Sequence, residues 1–394
     1  MKIKLSDPVV ISMGPESETT GWGPYQFPEL TKTKDGRLLC SFNVGEDSVT
    51  AYGNPRPYFI SSDRGQTWTQ IPKDQALPLQ GVTLPNGDVL TYLEYPSIPT
   101  EELALPQPIV SNPKGFDIYP MEAVAHTHCG KTWRFIRKNQ AHPQGIEEQA
   151  TLNWPYMFVA AAKGVLIQPF PRGRIRVAPD GTLWMPSYCA AGIDPKDGSL
   201  ASPLYSLYLH KSTDLGHTWE LAHFLPFVPK TEQEAVSEGY NENDIGFAPD
   251  GSMFLLIRTH VVYRDSAFCP MLISRSTDGG ATWSKPEEFD FTGVWPTILT
   301  LACGVTLATY GRPGLFLRAT DDPSCQSWEA PMELIHSNRI PNAPGSSINV
   351  ATCSYTDMVQ LDSHTAGLIY SDFTVKDHQG KPRKTILFRT ISAY

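Results

Sequence analysis

The chain has 394 residues, 41% of them hydrophobic and 11% aromatic, which is ample material for a packed core and excludes global disorder. Its 32 basic and 41 acidic side chains give a net charge of −9 without Lys/Arg runs. That argues against a nucleic-acid partner, because neutralising phosphates needs clustered cations. Seven cysteines, odd in number and without a Cys-x-x-Cys pair, suit a reducing compartment better than a disulfide framework.

The N-terminus, MKIKLSDPVVISMGPESE, lacks the apolar run of ~7–15 residues that a signal peptide requires. No stretch approaches the ~18 apolar residues of a membrane span, so the reading is a soluble, cytoplasmic protein. Next along the chain comes a hairpin pattern, LTKTKDGRLLCSF (30–42), then the turn SSDRGQTW (61–68). The same pair of patterns recurs. Hairpins follow as GVTLPNGDVLTYL (81–93), IRVAPDGTLWMPSY (175–188), IGFAPDGSMFLLIR (245–258), ILTLACGVTLATYGR (298–312) and MVQLDSHTAGLIYSD (358–372). Between them lie STDLGHTW (212–219) and STDGGATW (276–283), with partial copies HTHCGKTW (126–133) and ATDDPSCQSW (319–328).

Asp-Gly or Asn-Gly between apolar runs predicts type I′ hairpins, with positive φ at both central residues. The S-x-D-x-G-x-T-W copies predict tight turns between outer strands. Their Asp accepts backbone N–H groups, their Gly is left-handed, and their Trp packs between neighbouring sheets. Only KTEQEAVSEGY (230–240) has helix-forming composition. LALPQPIVSNPKG (103–115) reads as an excursion from the second unit. The whole chain, 1–394, therefore reads as one all-β domain, a six-bladed β-propeller of four-stranded antiparallel sheets. The N-terminal VVISM strand is expected to pair with the C-terminal TILFRTIS strand and close the ring.

The S-x-D-x-G-x-T-W repeats resemble the Asp boxes of sialidases and other propellers, and further matches to sialidases span nearly the whole chain. Where that family begins its first blade with Arg-Ile-Pro, this chain has Tyr25-Gln26-Phe27-Pro28. The loop after LLCSFNVGE places Asp47 where the family carries its catalytic acid. GVLIQPFPRGRIRVAPDGTLWMPSY resembles the family's glycine-rich approach to a strand ending in Pro-x-Tyr. NENDIGFAPDGSMFLLIR resembles the segment with the catalytic Glu and second arginine, here Glu242 and Arg258. TLATYGRPG supplies Arg312 as the third arginine, and CSYTDMVQL resembles the segment of the nucleophilic tyrosine, here Tyr355.

The resemblance implies a retaining exo-glycoside hydrolase removing a terminal acidic sugar from a glycan, with no cofactor. Guanidiniums suit a substrate carboxylate because they are planar and permanently charged. A phenol made basic by a neighbouring Glu avoids the repulsion a carboxylate nucleophile would meet. Gln26 in place of the first arginine weakens an anion clamp, and Arg56 in NPRPYF is a candidate to complete it. Trp22 and Tyr25 are candidates for a sugar platform, and His260 lies near the same site. Alternatives on the same propeller are a polysaccharide lyase, a neutral-sugar exo-hydrolase and a non-catalytic glycan-binding protein. The His126-x-His128 pair replaces turn residues and has no third ligand at suitable spacing, so no metal site is read there. Oligomeric state and structural calcium stay open.

Overall fold

Every turn that the sequence pattern marks closes an antiparallel hairpin. The computed structural model describes residues 1–20, 23–46, 56–93, 95–123, 132–153, 158–167, 173–235, 237–259, 270–291, 293–312, 314–336 and 351–394. Within them 53% strand and 4% helix make the protein nearly all-β.

The hairpin turns are not type I′. In the first, the Gly36 N–H donates to Thr33 O at 2.9 Å and the Thr33 N–H to Arg37 O at 2.9 Å, and only Gly36 has positive φ (86°). This is a type I turn followed by a left-handed glycine that forms a bulge. Gly87, Gly181, Gly251 and Gly304 repeat it. Pro85, Pro179 and Pro249 hold the first central position of three copies, and proline's fixed negative φ is incompatible with a primed turn.

Sheets I to V take four strands each and sheet VI five, numbered here in chain order. Sheet I is Gln26–Lys32, Leu38–Asn43, Tyr58–Ser61 and Thr69–Ile71. Sheet II, Val82–Thr83, Val89–Leu93, Thr132–Lys138 and Ile146–Leu152, is joined through a short parallel pairing, Leu152 beside Trp219, to sheet III. Sheet III is Arg176–Val177, Leu183–Cys189, Ser206–Ser212 and Thr218–Leu225. Sheet IV is Tyr240–Phe247, Met253–Thr259, Met271–Ser276 and Glu287–Asp290, and sheet V is Val294–Thr300, Thr306–Gly311, Leu315–Thr320 and Met332–Ile335. Sheet VI is Thr356–Asp362, Thr365–Lys376 and Pro382–Ala393, completed by Ile3–Leu5 and Val9–Glu16. Val9 lies opposite Phe388 and Ile3 opposite Ala393, so the two ends of the chain share a sheet as expected.

The excursion is larger than 103–115. Ile98–Pro99, Val110–Ser111, Asp117–Pro120, Phe158–Ala162 and Val165–Ile167 form a separate five-stranded sheet. Its Ile118, Val159 and Leu166 pack into the core that holds Trp133, Tyr208 and Trp219. Among the described residues, helix is confined to short turns such as Glu232–Ala235, within 230–240, and Lys73–Ala76.

The S-x-D-x-G-x-T-W turns share one hydrogen-bond pattern. In the first, Asp63 accepts from the Ser61 hydroxyl (2.8 Å), the Thr67 N–H (2.9 Å) and the Thr67 hydroxyl (2.5 Å), and the Trp68 indole N–H donates to Gly65 O (3.1 Å). Those bonds, led by the Thr67 hydroxyl, hold the Asp63 carboxyl down to about 2. Asp214 and Asp278 repeat the arrangement, and Asp322 keeps the backbone half of it. Each Trp then reaches the preceding sheet: Trp68 meets Phe388, Trp219 meets Trp133 and Phe135, and Trp328 meets Phe254. Burying such rings fastens sheet to sheet. His217 is an exposed residue of the second turn. His126 and His128 lie outside the described residues.

The first strands of sheets IV, V, VI and I pack side by side in that order. Buried polar groups tie them: Ile298 N–H donates to Asp244 (2.8 Å), and Leu30 N–H to Asp357 (3.0 Å). Register shifts at Gln26/Glu29, Tyr240/Asn243 and Val294/Thr297 bulge three of these strands near their starts. Bulges re-aim side chains, and the candidate site lies at these bulges.

Candidate active site

Tyr355 stands immediately before the first strand of sheet VI, at the end of a run pinned from both sides. Phe373 N–H donates to Ala351 O (2.7 Å), Cys353 N–H to the Ser371 hydroxyl (3.1 Å), and the Ser354 hydroxyl to Gly314 O (2.9 Å). Gly311 permits this approach, since a Cβ there would lie 2.2 Å from Gly314 O and 2.8 Å from Ser354 Cβ.

The Tyr355 hydroxyl donates to Glu242 Oε1. The other oxygen, Oε2, accepts from the Trp295 N–H at 3.0 Å and pairs with Arg258 Nη1 at 2.7 Å. Arg312 donates from Nη2 to Cys353 O at 3.0 Å, with its guanidinium carbon 5.7 Å from the centre of the Tyr355 ring. Tyr355, Glu242 and Arg258 are all buried. Burial is the largest influence on the Tyr355 phenol and pushes its pKa well up; Glu242 adds to this while Arg258 and Arg312 oppose it. Burial alone would lower the Arg258 pKa, but Glu242, then Tyr355 and Glu238, raise it, so its charge is fixed.

Two aromatic rings clasp the phenol. Trp295 stacks on Tyr355 at 5.1 Å with 28° between planes, and Phe27 meets it edge-on at 4.7 Å and 87°. Both precede proline, which normally holds its predecessor in extended backbone. Yet Phe27 has φ 52° and Trp295 φ 41°. Tyr25, Arg312 and Ser354 are also left-handed (64°, 73° and 67°). Side chains rarely adopt such backbone unless surrounding contacts over-determine it, and such strain gathers at functional sites.

Of the residues singled out in the sequence, Tyr355, Glu242, Arg258 and Arg312 meet here. Gln26 is next to Phe27 and fully buried, and neither its amide oxygen nor its nitrogen has a partner among the described residues. Arg56 pairs through Nη1 with Glu29 at 2.6 Å and donates from Nη2 to Phe27 O at 2.7 Å. It backs Phe27 and lines a separate cleft of about 360 Å³ whose walls include Tyr25 and Phe59 but not Tyr355 or Glu242. Asp47, Trp22 and His260 lie outside the described residues.

Sequence reasoning missed Phe27 and Trp295, although the paired signal was visible as Phe27-Pro28 and Trp295-Pro296 at the starts of two first strands. It also missed Glu238, which accepts from Asn241 (2.5 Å) and pairs with Lys114 (3.1 Å). Lys114 thus ties the excursion to the edge of the site. Among the described residues, no cluster of three or more His, Cys, Asp or Glu could hold a metal ion, and no helix is long and apolar enough to cross a membrane.

No family model matches the chain, and no curated protein matches its sequence. Solved structures do resemble it. A Dyadobacter fermentans protein of unknown function aligns over 100% of this chain and 99% of its own, at 18% identity and TM-score 0.61. The Hadza microbial sialidase Hz136 aligns over 93% of this chain at 16% identity and TM-score 0.50, and the match spans 65% of that sialidase. An α-L-arabinanase of Penicillium chrysogenum, complexed with arabinobiose, aligns over 98% of both chains at 13% identity and TM-score 0.47. The fold is propeller-like and of sialidase type.

Proposed function

We propose that this protein is a retaining exo-glycoside hydrolase of the sialidase type, built as a single six-bladed propeller and acting on the terminal sugar of a glycan. One observation carries the reading: the buried Tyr355 phenol donates to Glu242, whose other oxygen is held by Arg258, while Arg312 sits over the phenol ring. The Tyr355 phenol is held protonated by burial until Glu242 accepts its proton. The phenol oxygen would then attack the anomeric carbon as the glycosidic bond breaks. A carboxylic acid, for which Asp47 is the candidate, would protonate the departing oxygen. Water would release the sugar from the tyrosine by the reverse sequence, with retained configuration.

Arg258 and Arg312 are the proposed contacts for an acidic substituent. A second reading is favoured by a specific observation: the Arg258 charge is already balanced by Glu242, and Arg56 is held by Glu29. With two of these guanidiniums each held by a carboxylate of the protein itself, a neutral terminal sugar also fits.

The test is turnover of a panel of chromogenic α-sialosides and neutral glycosides by the parent chain and by Tyr355→Phe. The expected result is hydrolysis, without an ultraviolet-absorbing unsaturated product, lost in the variant by about 10³-fold or more. Parental turnover by Tyr355→Phe would reject the tyrosine chemistry, an unsaturated product would indicate a lyase, and binding without turnover a glycan-binding protein.

A further inference from the structure

We infer that Arg174 is a positioning residue for the Tyr355 site; this rests on the reading of Tyr355 as nucleophile. Arg174 does not touch the phenol. Its Nη1 donates to Pro296 O at 3.0 Å and its Nη2 to Thr356 O at 2.9 Å. Those carbonyls belong to the residues that follow Trp295 and Tyr355. The guanidinium carbon also lies 4.8 Å from the centre of the Trp295 ring, a cation–π contact on the ring that stacks against Tyr355. One planar cation therefore clamps the backbone of sheets V and VI where each delivers an aromatic residue to Glu242.

The clamp is itself anchored. Arg174 Nη1 lies 3.8 Å from Asp244, and its Nε lies 3.7 Å from Asp357. Asp244 also binds Arg176 through both oxygens (2.9 and 2.5 Å) and belongs to the same strand as Glu242. Arg174 thus fixes three first strands relative to one another. Trp295 needs such support because its left-handed backbone is what aims its N–H at Glu242. A lysine cannot reproduce the clamp, since its point charge lacks the planar fork that reaches two carbonyls while stacking on a ring.

Arg174→Lys and Arg174→Ala in the full chain test this. Because a displacement of about 1 Å costs on the order of 10²-fold in turnover, kcat should fall by about that factor in both while KM stays within a few-fold. Millimolar guanidinium should restore part of the Arg174→Ala rate and none of the Tyr355→Phe rate. Independently of activity, Arg174→Lys should change tryptophan fluorescence in the parent background and not in Trp295→Phe. Arg174→Lys keeps a cation beside Asp244 and Asp357, so it reports on the clamp even where Arg174→Ala fails to fold. Parental kcat, or unchanged fluorescence, overturns the proposal. Should the parent hydrolyse no glycoside, the functional reading fails, and the fluorescence pair alone decides whether Arg174 fixes Trp295.

Discussion

Glu242 Oε1 accepts the Tyr355 hydroxyl proton although the two residues stand 113 positions apart, one on the first strand of sheet IV and the other before that of sheet VI. The same carboxylate is the counter-ion of Arg258. Glu242 therefore has two separable duties, one chemical and one structural. Glu242→Gln removes the base and the charge opposite Arg258 but keeps a hydrogen-bond acceptor, and is expected to lose turnover with a smaller loss of stability than full truncation. Glu242→Ala leaves the buried Arg258 without its carboxylate and should lose about 3–5 kcal/mol as well. Urea unfolding beside a rate assay separates the two; parental stability of both variants would show that the ion pair contributes nothing to folding.

Gln26 offers the opposite case. A buried amide without partners costs stability, so its apolar replacement is expected to help the fold. Gln26→Met should match or exceed the parent by about 1 kcal/mol in chemical denaturation. If the amide also contacts substrate, KM for the preferred glycoside should rise in the same variant. A parental KM would remove Gln26 from the binding set.

His210 supplies a pH test. It is fully buried against the edge of Trp133, at 4.8 Å between ring centres, and burial pushes its pKa down to about 3. A base whose pKa is depressed on folding binds its proton more readily when unfolded. Its contribution is therefore intact above the unfolded value, near 6.5, and is lost as pH falls from there toward about 3. The loss is on the order of 5 kcal/mol when complete. Urea midpoints measured between pH 7 and 4 should fall, and the slope should flatten in His210→Leu. A parallel slope in that variant would assign the acid sensitivity to other groups.

The turn tryptophans should rank by burial. Trp219 is fully buried between Trp133 and Phe135, whereas Trp68 is part-buried. Trp219→Ala is expected to cost about 3–5 kcal/mol and Trp68→Ala less. Guanidinium unfolding midpoints check the order, and the reverse order would mean that the Trp68–Phe388 contact between the first and last sheets matters most.

What was legible in the residues is what short-range physics writes. The Asp63, Asp214 and Asp278 turns were readable because all their hydrogen bonds close within eight residues, and a left-handed glycine stands at the same place in each (Gly65, Gly216, Gly280), although Arg64 and Leu215 before two of them are left-handed too. The hairpin type was misread, although Pro85, Pro179 and Pro249 carried the information, because a proline's fixed φ already excludes the primed turn. The pairing of the N-terminal strands with the C-terminal one was readable from two apolar strands at the chain ends.

The composition of the site belonged to the tertiary structure. Phe27, Arg174 and Trp295 come from three different sheets or their approaches; the Phe27-Pro28 and Trp295-Pro296 pairs were visible, but not that both rings meet Tyr355. The left-handed backbone at Phe27 and Trp295 contradicts the ordinary preference of a residue before proline, so only packing from several sides explains it. The same holds for Arg56, whose pairing with Glu29 depends on how the first strand of sheet I lies beside the approach to Tyr58–Ser61. Local chemistry specified the turns, while charge pairing and ring contacts across distant segments specified which groups face the phenol.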